Sequence, residues 1–127
     1  MDEQPTPNVT SNDVERVVRR DFPKEEFANV MNILSEYGVE QWQRERPRVQ
    51  LAVLKLARGT LKGLRLQIEV AKCDYRDVLG PAEYPTYTKR WHQMGKLPAE
   101  EKQHIIESDW NQYETWLRGE CQPGAPN

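Results

Sequence analysis

The feature that most constrains this chain is the spacing of its apolar residues, which recur at every third or fourth position through most of its length. This period matches the α-helical turn, so each such segment can bury one face. Prolines and glycines separate the segments at places where helices begin and end. No alternating run is long enough to predict a strand. The sequence therefore predicts an all-α fold, a small bundle of about five helices with disordered termini.

Local signals place the ends of these helices. The first helix is predicted to be capped by Asn12 and to end before Pro23, because proline disfavours helical geometry in the residue before it. The second begins at Pro23 and ends at Gly38, which takes a left-handed conformation at little cost. The last begins at Pro98 and ends at Gly119.

The middle of the chain allows two interpretations. A third helix begins at Pro47, and the segment ARGTLKG (57–63) lies either inside one long helix or at a break. Each glycine inside a helix costs about 1 kcal/mol relative to alanine, and Thr60 is a good N-cap. These preferences favour a break at Gly59–Thr60, followed by a fourth helix over Leu61–Leu79 that Gly80 and the proline after it terminate.

Length and composition suggest one cytoplasmic domain. A chain of 127 residues can bury one core, predicted here over 12–118, with tails at 1–11 and 119–127 that lack an apolar period. No stretch approaches the ~20 apolar residues of a membrane span, and the first residues do not resemble a signal peptide. Cys73 and Cys121 are too few for a disulfide framework, and we expect both thiols to be reduced.

The stretch DYRDVLGPAEYPTY (74–87) carries the candidate site. Asp74 and Asp77 fall in the last turns of the predicted fourth helix, where the helix dipole disfavours negative charge. Tyr84 and Tyr87, with Trp91 shortly after, lie in a loop and could display their rings to a partner. The alternative, which we favour, is structural: neighbouring bases offset the two charges, and the rings pack on the bundle. Asp74, Asp77, Tyr84 and Tyr87 are the candidate partner surface.

Motifs for catalysis or cofactor binding are not found in the sequence. His92 and His104 lack neighbours at zinc-ligand spacing, and neither a phosphate loop nor a nucleophile elbow is present. We therefore predict no catalytic residue, no metal ligand and no cofactor; an enzyme that uses Asp74, Asp77 and nearby tyrosines is the third hypothesis. Asp109, on the aromatic side of the last helix, is predicted to be a structural anchor that accepts a hydrogen bond from a tyrosine or an indole N–H.

Basic residues are concentrated in the centre of the chain, where residues 41–72 hold eight Lys and Arg against two Glu. The basic ridge consists of Lys55, Arg58, Lys62, Arg65, Lys72 and Arg76. On an unbroken helix it could follow a phosphate backbone, which makes nucleic-acid binding the alternative function. A break at Gly59 would bend it, and a solvated flank is the structural alternative.

The leading hypothesis is a non-enzymatic helical module that binds another protein or a second copy of itself. Val49, Leu51, Val53 and Leu54 give the third helix more apolar surface than one seam requires, so part of it could serve a second subunit as a homodimer.

The segment DYRDVLGPAEYP, together with the later DWNQYETWL, resembles a group of small uncharacterised bacterial proteins over roughly residues 27–118. The resemblance implies a bacterial, cytosolic protein and transfers no catalytic residue.

Overall fold

The computed structural model describes residues 4–119, and this range is all-helical, without a β-strand. Its eight α-helices are α1 (Ser11–Asp21), α2 (Phe27–Leu34), α3 (Arg46–Ala57), α4 (Leu61–Cys73), α5 (Arg76–Glu83), α6 (Pro85–Lys89), α7 (Trp91–Met94) and α8 (Ala99–Arg118). A short 3₁₀ turn, Lys24–Glu26, precedes α2. The predicted all-α class is confirmed, whereas the predicted number of helices, about five, is lower than the eight observed in this range.

Helix α3 is the centre of the fold. Residues 49–54 are all buried, which means that every side of the helix is covered. It packs against α1, α4 and α5. A helical segment that is covered on every side belongs to the core. The surplus apolar surface that suggested a second subunit is therefore used within the chain, where Val49, Leu51 and Val53 have no exposed area.

The break between α3 and α4 lies where the sequence predicted it. Gly59 has φ of +75°, a left-handed conformation, and α4 begins two residues later. The Thr60 hydroxyl accepts a hydrogen bond from the Gly63 amide at 3.0 Å, so Thr60 is the N-cap. The prediction that two helices meet here is confirmed.

The fourth helix is shorter than predicted, because it ends at Cys73 instead of Leu79. Asp74 is extended, with φ of −158° and ψ of 109°, and its carboxylate accepts a hydrogen bond from the Arg76 amide at 3.0 Å. Side-chain bonds of this kind compete with helix continuation. A new helix, α5, then runs through Pro81 to Glu83, so the predicted stop at Gly80 is also wrong.

The chain before α1 contacts the domain. The N-cap of α1 is Thr10 instead of Asn12, and the Asp13 carboxylate accepts a hydrogen bond from the Thr10 amide at 2.9 Å. Pro7 is buried, and the Pro5 carbonyl accepts a hydrogen bond from Tyr84. Most of the predicted tail at 1–11 is thus described and makes contacts. Residues 1–3 and 120–127, which include Cys121, lie outside the described residues.

Across residues 4–119, none of the helices combines the length and the apolar character needed to cross a membrane.

Candidate functional site

A surface cleft of about 380 Å³ lies beside α5, α6 and α7. Its volume falls within the range of ligand-binding clefts. The residues that line it come from three parts of the chain: Gln4, Pro5, Thr6, Arg48, Arg76, Leu79, Gly80, Glu83, Tyr84, Tyr87, Thr88 and Trp91. Residues 4–7, called the strap below, contribute one wall of the cleft through Gln4, Pro5 and Thr6.

Tyr84 binds the strap through a hydrogen bond. Its hydroxyl donates a hydrogen bond to the Pro5 carbonyl, with 2.5 Å between the oxygens. Burial raises the pKa of Tyr84, and the nearby Glu83 carboxylate raises it further, while the Arg48 guanidinium opposes both effects. The hydroxyl therefore keeps its proton at neutral pH and remains a donor.

A buried ion pair lies in the same cleft. Arg48 on α3 donates two hydrogen bonds to the carboxylate of Glu83 on α5, at 2.8 and 2.7 Å, and a third to Glu45 at 2.6 Å. The hydrogen bond with Glu83 is the main cause of the raised pKa of Arg48. Glu83 is only 2% exposed and both of its oxygens are engaged, so this carboxylate is already committed to Arg48.

Helix α8 holds the aromatic wall of the cleft in place. The buried carboxylate of Asp109 accepts a hydrogen bond from the Tyr87 amide at 2.8 Å. The Gln112 side chain donates to the carbonyls of Ala82 and Glu83, both at 3.2 Å. Asp109 is the structural anchor that the sequence predicted, although its donor is a backbone amide and not a ring hydroxyl or indole.

The four residues of the candidate partner surface do not lie together in one site. Tyr84 and Tyr87 line the cleft, whereas Asp74 and Asp77 are not among its lining residues. Asp74 binds the Arg76 guanidinium at 3.0 and 2.9 Å, and this hydrogen bonding lowers the pKa of Asp74.

Asp74 is the C-cap of α4, so it does lie at the end of a helix where the dipole disfavours negative charge, but the same expectation was wrong for Asp77. Asp77 lies in the first turn of α5, where the helix dipole favours a negative charge.

Trp91 completes the cleft and is its most exposed ring. The side chain is 63% exposed and its ring lies 4.3 Å from that of His92. The sequence grouped Trp91 with the two tyrosines but did not include it in the candidate surface. It gave no signal that Arg48 or the strap would meet these rings, since both lie far from them along the chain.

The basic ridge is interrupted in the structure. Lys72 binds Glu36 and Glu69 at 3.1 and 3.0 Å, and Arg76 binds Asp74. Lys55 is partly buried, which lowers its pKa. The remaining members, Arg58, Lys62 and Arg65, are exposed on α4 and the turn before it.

A second apolar surface lies in the loop between α2 and α3. Val39 is 74% exposed and Trp42 is 48% exposed. The loop itself is ordered by Gln43, whose side-chain oxygen accepts hydrogen bonds from the amides of residues 38, 39 and 40 at 2.8 to 3.0 Å. The Tyr37 hydroxyl adds a bond to the Arg44 carbonyl at 2.7 Å. This ordered loop was not predicted from the sequence.

Among residues 4–119, no three His, Cys, Asp or Glu side chains are grouped so that they could hold a metal ion. Comparison of the chain with protein-family models, curated proteins and solved structures gave no match.

Proposed function

We propose that this protein is a non-enzymatic helical module that binds another protein through the cleft beside α5, α6 and α7. The observation that carries the proposal is the placement of Trp91, a large ring that is 63% exposed at a preformed cleft. Exposed tryptophan and tyrosine side chains give much contact area at low entropic cost and are enriched among the residues that dominate protein interfaces.

The chemistry of the cleft favours binding over catalysis. The Glu83 carboxylate is bound on both oxygens by Arg48, and the Tyr84 hydroxyl is bound to Pro5. A general base must be able to reach the proton it takes, and these groups already have partners. Asp74 is bound to Arg76 and is not part of the cleft wall. The arrangement supports a recognition surface with a rigid wall.

The partner in this proposal is a different protein and not a second copy. The apolar side chains of α3 that suggested a homodimer are buried in the core of the single chain. The proposal also keeps a bacterial, cytoplasmic setting, for which the resemblance of residues 27–118 is the support.

A photo-crosslinking experiment tests the proposal. A photoreactive residue at Lys89, which is exposed on α6 next to the cleft, would capture the partner in the producing cells. The captured protein is then purified and its affinity measured for the wild type, Trp91→Ser and Trp42→Ser. Both tryptophans are exposed, but only Trp91 lines the cleft, so Trp42→Ser is the matched control.

We expect Trp91→Ser to weaken binding about fivefold or more, in line with the loss of an aromatic contact at an interface, and Trp42→Ser to leave it unchanged. Equal affinity of the wild type and Trp91→Ser, or a specific loss in Trp42→Ser, would refute the cleft as the binding site.

Nucleic-acid binding is the second candidate, and three cations support it. Arg58, Lys62 and Arg65 are exposed and form no ion pair within the described part of the chain. Phosphate contacts strengthen as salt falls, so binding to duplex and single-stranded DNA should be measured at low and at physiological salt. The triple variant Arg58→Ser/Lys62→Ser/Arg65→Ser should then lose that binding. A wild type that does not bind at low salt excludes this candidate.

A further inference from the structure

We propose that the cleft recognises an extended, proline-bearing segment of its protein partner, and that the strap (residues 4–7) is an intramolecular competitor for the same site. This inference rests on the proposed function and adds the class of ligand and its regulation.

The sequence of the strap, Gln-Pro-Thr-Pro, defines the ligand chemistry. A residue that precedes proline is restricted to extended conformations, and this applies to both Gln4 and Thr6. Proline has no amide hydrogen, so such a segment offers mainly carbonyl oxygens for recognition. A site that binds it needs hydrogen-bond donors directed at carbonyls and apolar rings beside them.

The cleft supplies both. The Tyr84 hydroxyl donates to the Pro5 carbonyl, and the rings of Tyr84, Tyr87 and Trp91 line the surrounding wall. The chain's own proline segment is thus held at Tyr84, where it forms another wall of the cleft. The structure therefore shows a segment of the required chemistry bound to a donor of the cleft.

A partner segment can displace the strap because the strap leaves aromatic surface uncovered. Trp91 remains 63% exposed with the strap in place, so a segment that takes over the Tyr84 hydroxyl and also covers Trp91 makes contacts that the strap lacks. The Tyr84–Pro5 hydrogen bond contributes only about 1 kcal/mol net. The covalent link keeps the strap at an effective concentration on the order of millimolar, so it acts as a constant competitor.

The test uses the full chain and a synthetic peptide of residues 1–10, MDEQPTPNVT, with a fluorophore at its C-terminal end. Fluorescence anisotropy measures the affinity of this peptide for the wild type, Pro5→Gly and Asn8→Gly. Pro5→Gly loosens the strap; Asn8→Gly is the matched control, because Asn8 is exposed in the same segment and does not line the cleft. We expect Pro5→Gly to bind the peptide about tenfold more tightly than the wild type, since its competitor is weakened, and Asn8→Gly to match the wild type.

Two further variants in the Pro5→Gly background locate the peptide. Trp91→Ala and Tyr84→Phe should each weaken it, and replacement of both peptide prolines by alanine should do the same. Trp91 is exposed, so its loss should leave the helical circular-dichroism spectrum and the melting temperature unchanged.

The outcomes separate this inference from the proposed function. If Pro5→Gly does not bind the peptide, or binds it regardless of Trp91, the cleft does not recognise proline segments. The crosslinked partner can still depend on Trp91 in that case, and the proposed function then stands. Equal affinity of the wild type and Pro5→Gly overturns the strap as competitor.

Discussion

Arg48 and Glu83 form a two-pronged ion pair that joins the central helix α3 to α5, the helix that carries part of the cleft wall. The Glu83 carboxylate is 2% exposed and the Arg48 side chain is 19% exposed. The pair thus lies where the core meets the cleft, so its integrity bears on both the stability of the fold and the shape of the site.

Removal of one partner should destabilise the protein strongly. In Arg48→Met the Glu83 carboxylate stays buried without its cation, and we expect the free energy of unfolding to fall by about 3 kcal/mol, at the lower end for broken buried pairs because Arg48 is partly exposed. Urea denaturation measures the change. The double variant Arg48→Met/Glu83→Leu should recover most of the loss.

The exposed pair Arg19–Glu15, with 3.6 Å between its charged atoms, is the comparison. Glu15→Gln removes this pair, leaves the Arg19 guanidinium over the Phe27 ring, and should cost less than about 1 kcal/mol. A similar cost for Glu15→Gln and Arg48→Met would show that burial of the Arg48–Glu83 pair has no special energetic weight.

Two buried tyrosines should respond in opposite directions to the loss of their hydroxyls. Tyr37 donates to the Arg44 carbonyl, whereas the Tyr113 hydroxyl has no hydrogen-bond partner within residues 4–119. An unpaired buried hydroxyl costs free energy, so Tyr113→Phe should raise the free energy of unfolding by roughly 1 kcal/mol and Tyr37→Phe should lower it by a similar amount. Chemical denaturation of the two variants side by side decides this, and a destabilised Tyr113→Phe contradicts it.

The order of the α2–α3 loop should depend on one atom, the side-chain oxygen of Gln43. Gln43→Ala leaves the amides of residues 38, 39 and 40 without their shared acceptor, which should cost about 1–3 kcal/mol. It should also speed hydrogen exchange of these amides. Gln43→Glu keeps an acceptor oxygen and should retain the protection, and Gln41→Ala, at an exposed position in the same loop, should have no effect. Unchanged exchange in Gln43→Ala would mean that the loop is ordered by other contacts.

Stability should fall steeply in alkali. Burial raises the pKa of Tyr37 to about 12 and also raises those of Tyr84 and Tyr113. A pKa that is higher in the folded state means that the unfolded chain loses its proton first, so stability is complete below the unfolded pKa of 10 and declines as pH rises through the folded values. Between its unfolded and its folded pKa, each tyrosine should lower the free energy of unfolding by about 1.4 kcal/mol per pH unit.

Lys55 acts in the opposite sense, because burial lowers its pKa and its deprotonation favours the folded state as pH rises. Urea unfolding from pH 9 to 12 measures the net slope. Tyr37→Phe should reduce the slope by the share of one tyrosine, and an unchanged slope in this variant would rule out Tyr37 as a source of it.

The sequence predicted what depends on local chemistry. The apolar period indicated the helical class, and Thr60, as a favourable N-cap after Gly59, indicated the break between α3 and α4. The break at Asp74 was missed because the apolar period continues across it. The hydrogen bond that the Arg76 amide donates to the Asp74 carboxylate shows why the helix stops.

The cleft could be predicted only in part. Tyr84 and Tyr87 were predicted to belong to one surface because they are close to each other in the sequence. The strap and Arg48 meet them through contacts between distant parts of the chain, as in the Arg48–Glu83 pair, and a hydropathy pattern carries no information on such pairings.

The burial of residues 49–54 of α3 on every side has a consequence for how the chain can be divided. Helices α1, α4 and α5 each cover part of α3, so a fragment that lacks any of them exposes apolar surface of α3 to water. A cut between residues 46 and 83 should therefore yield insoluble pieces.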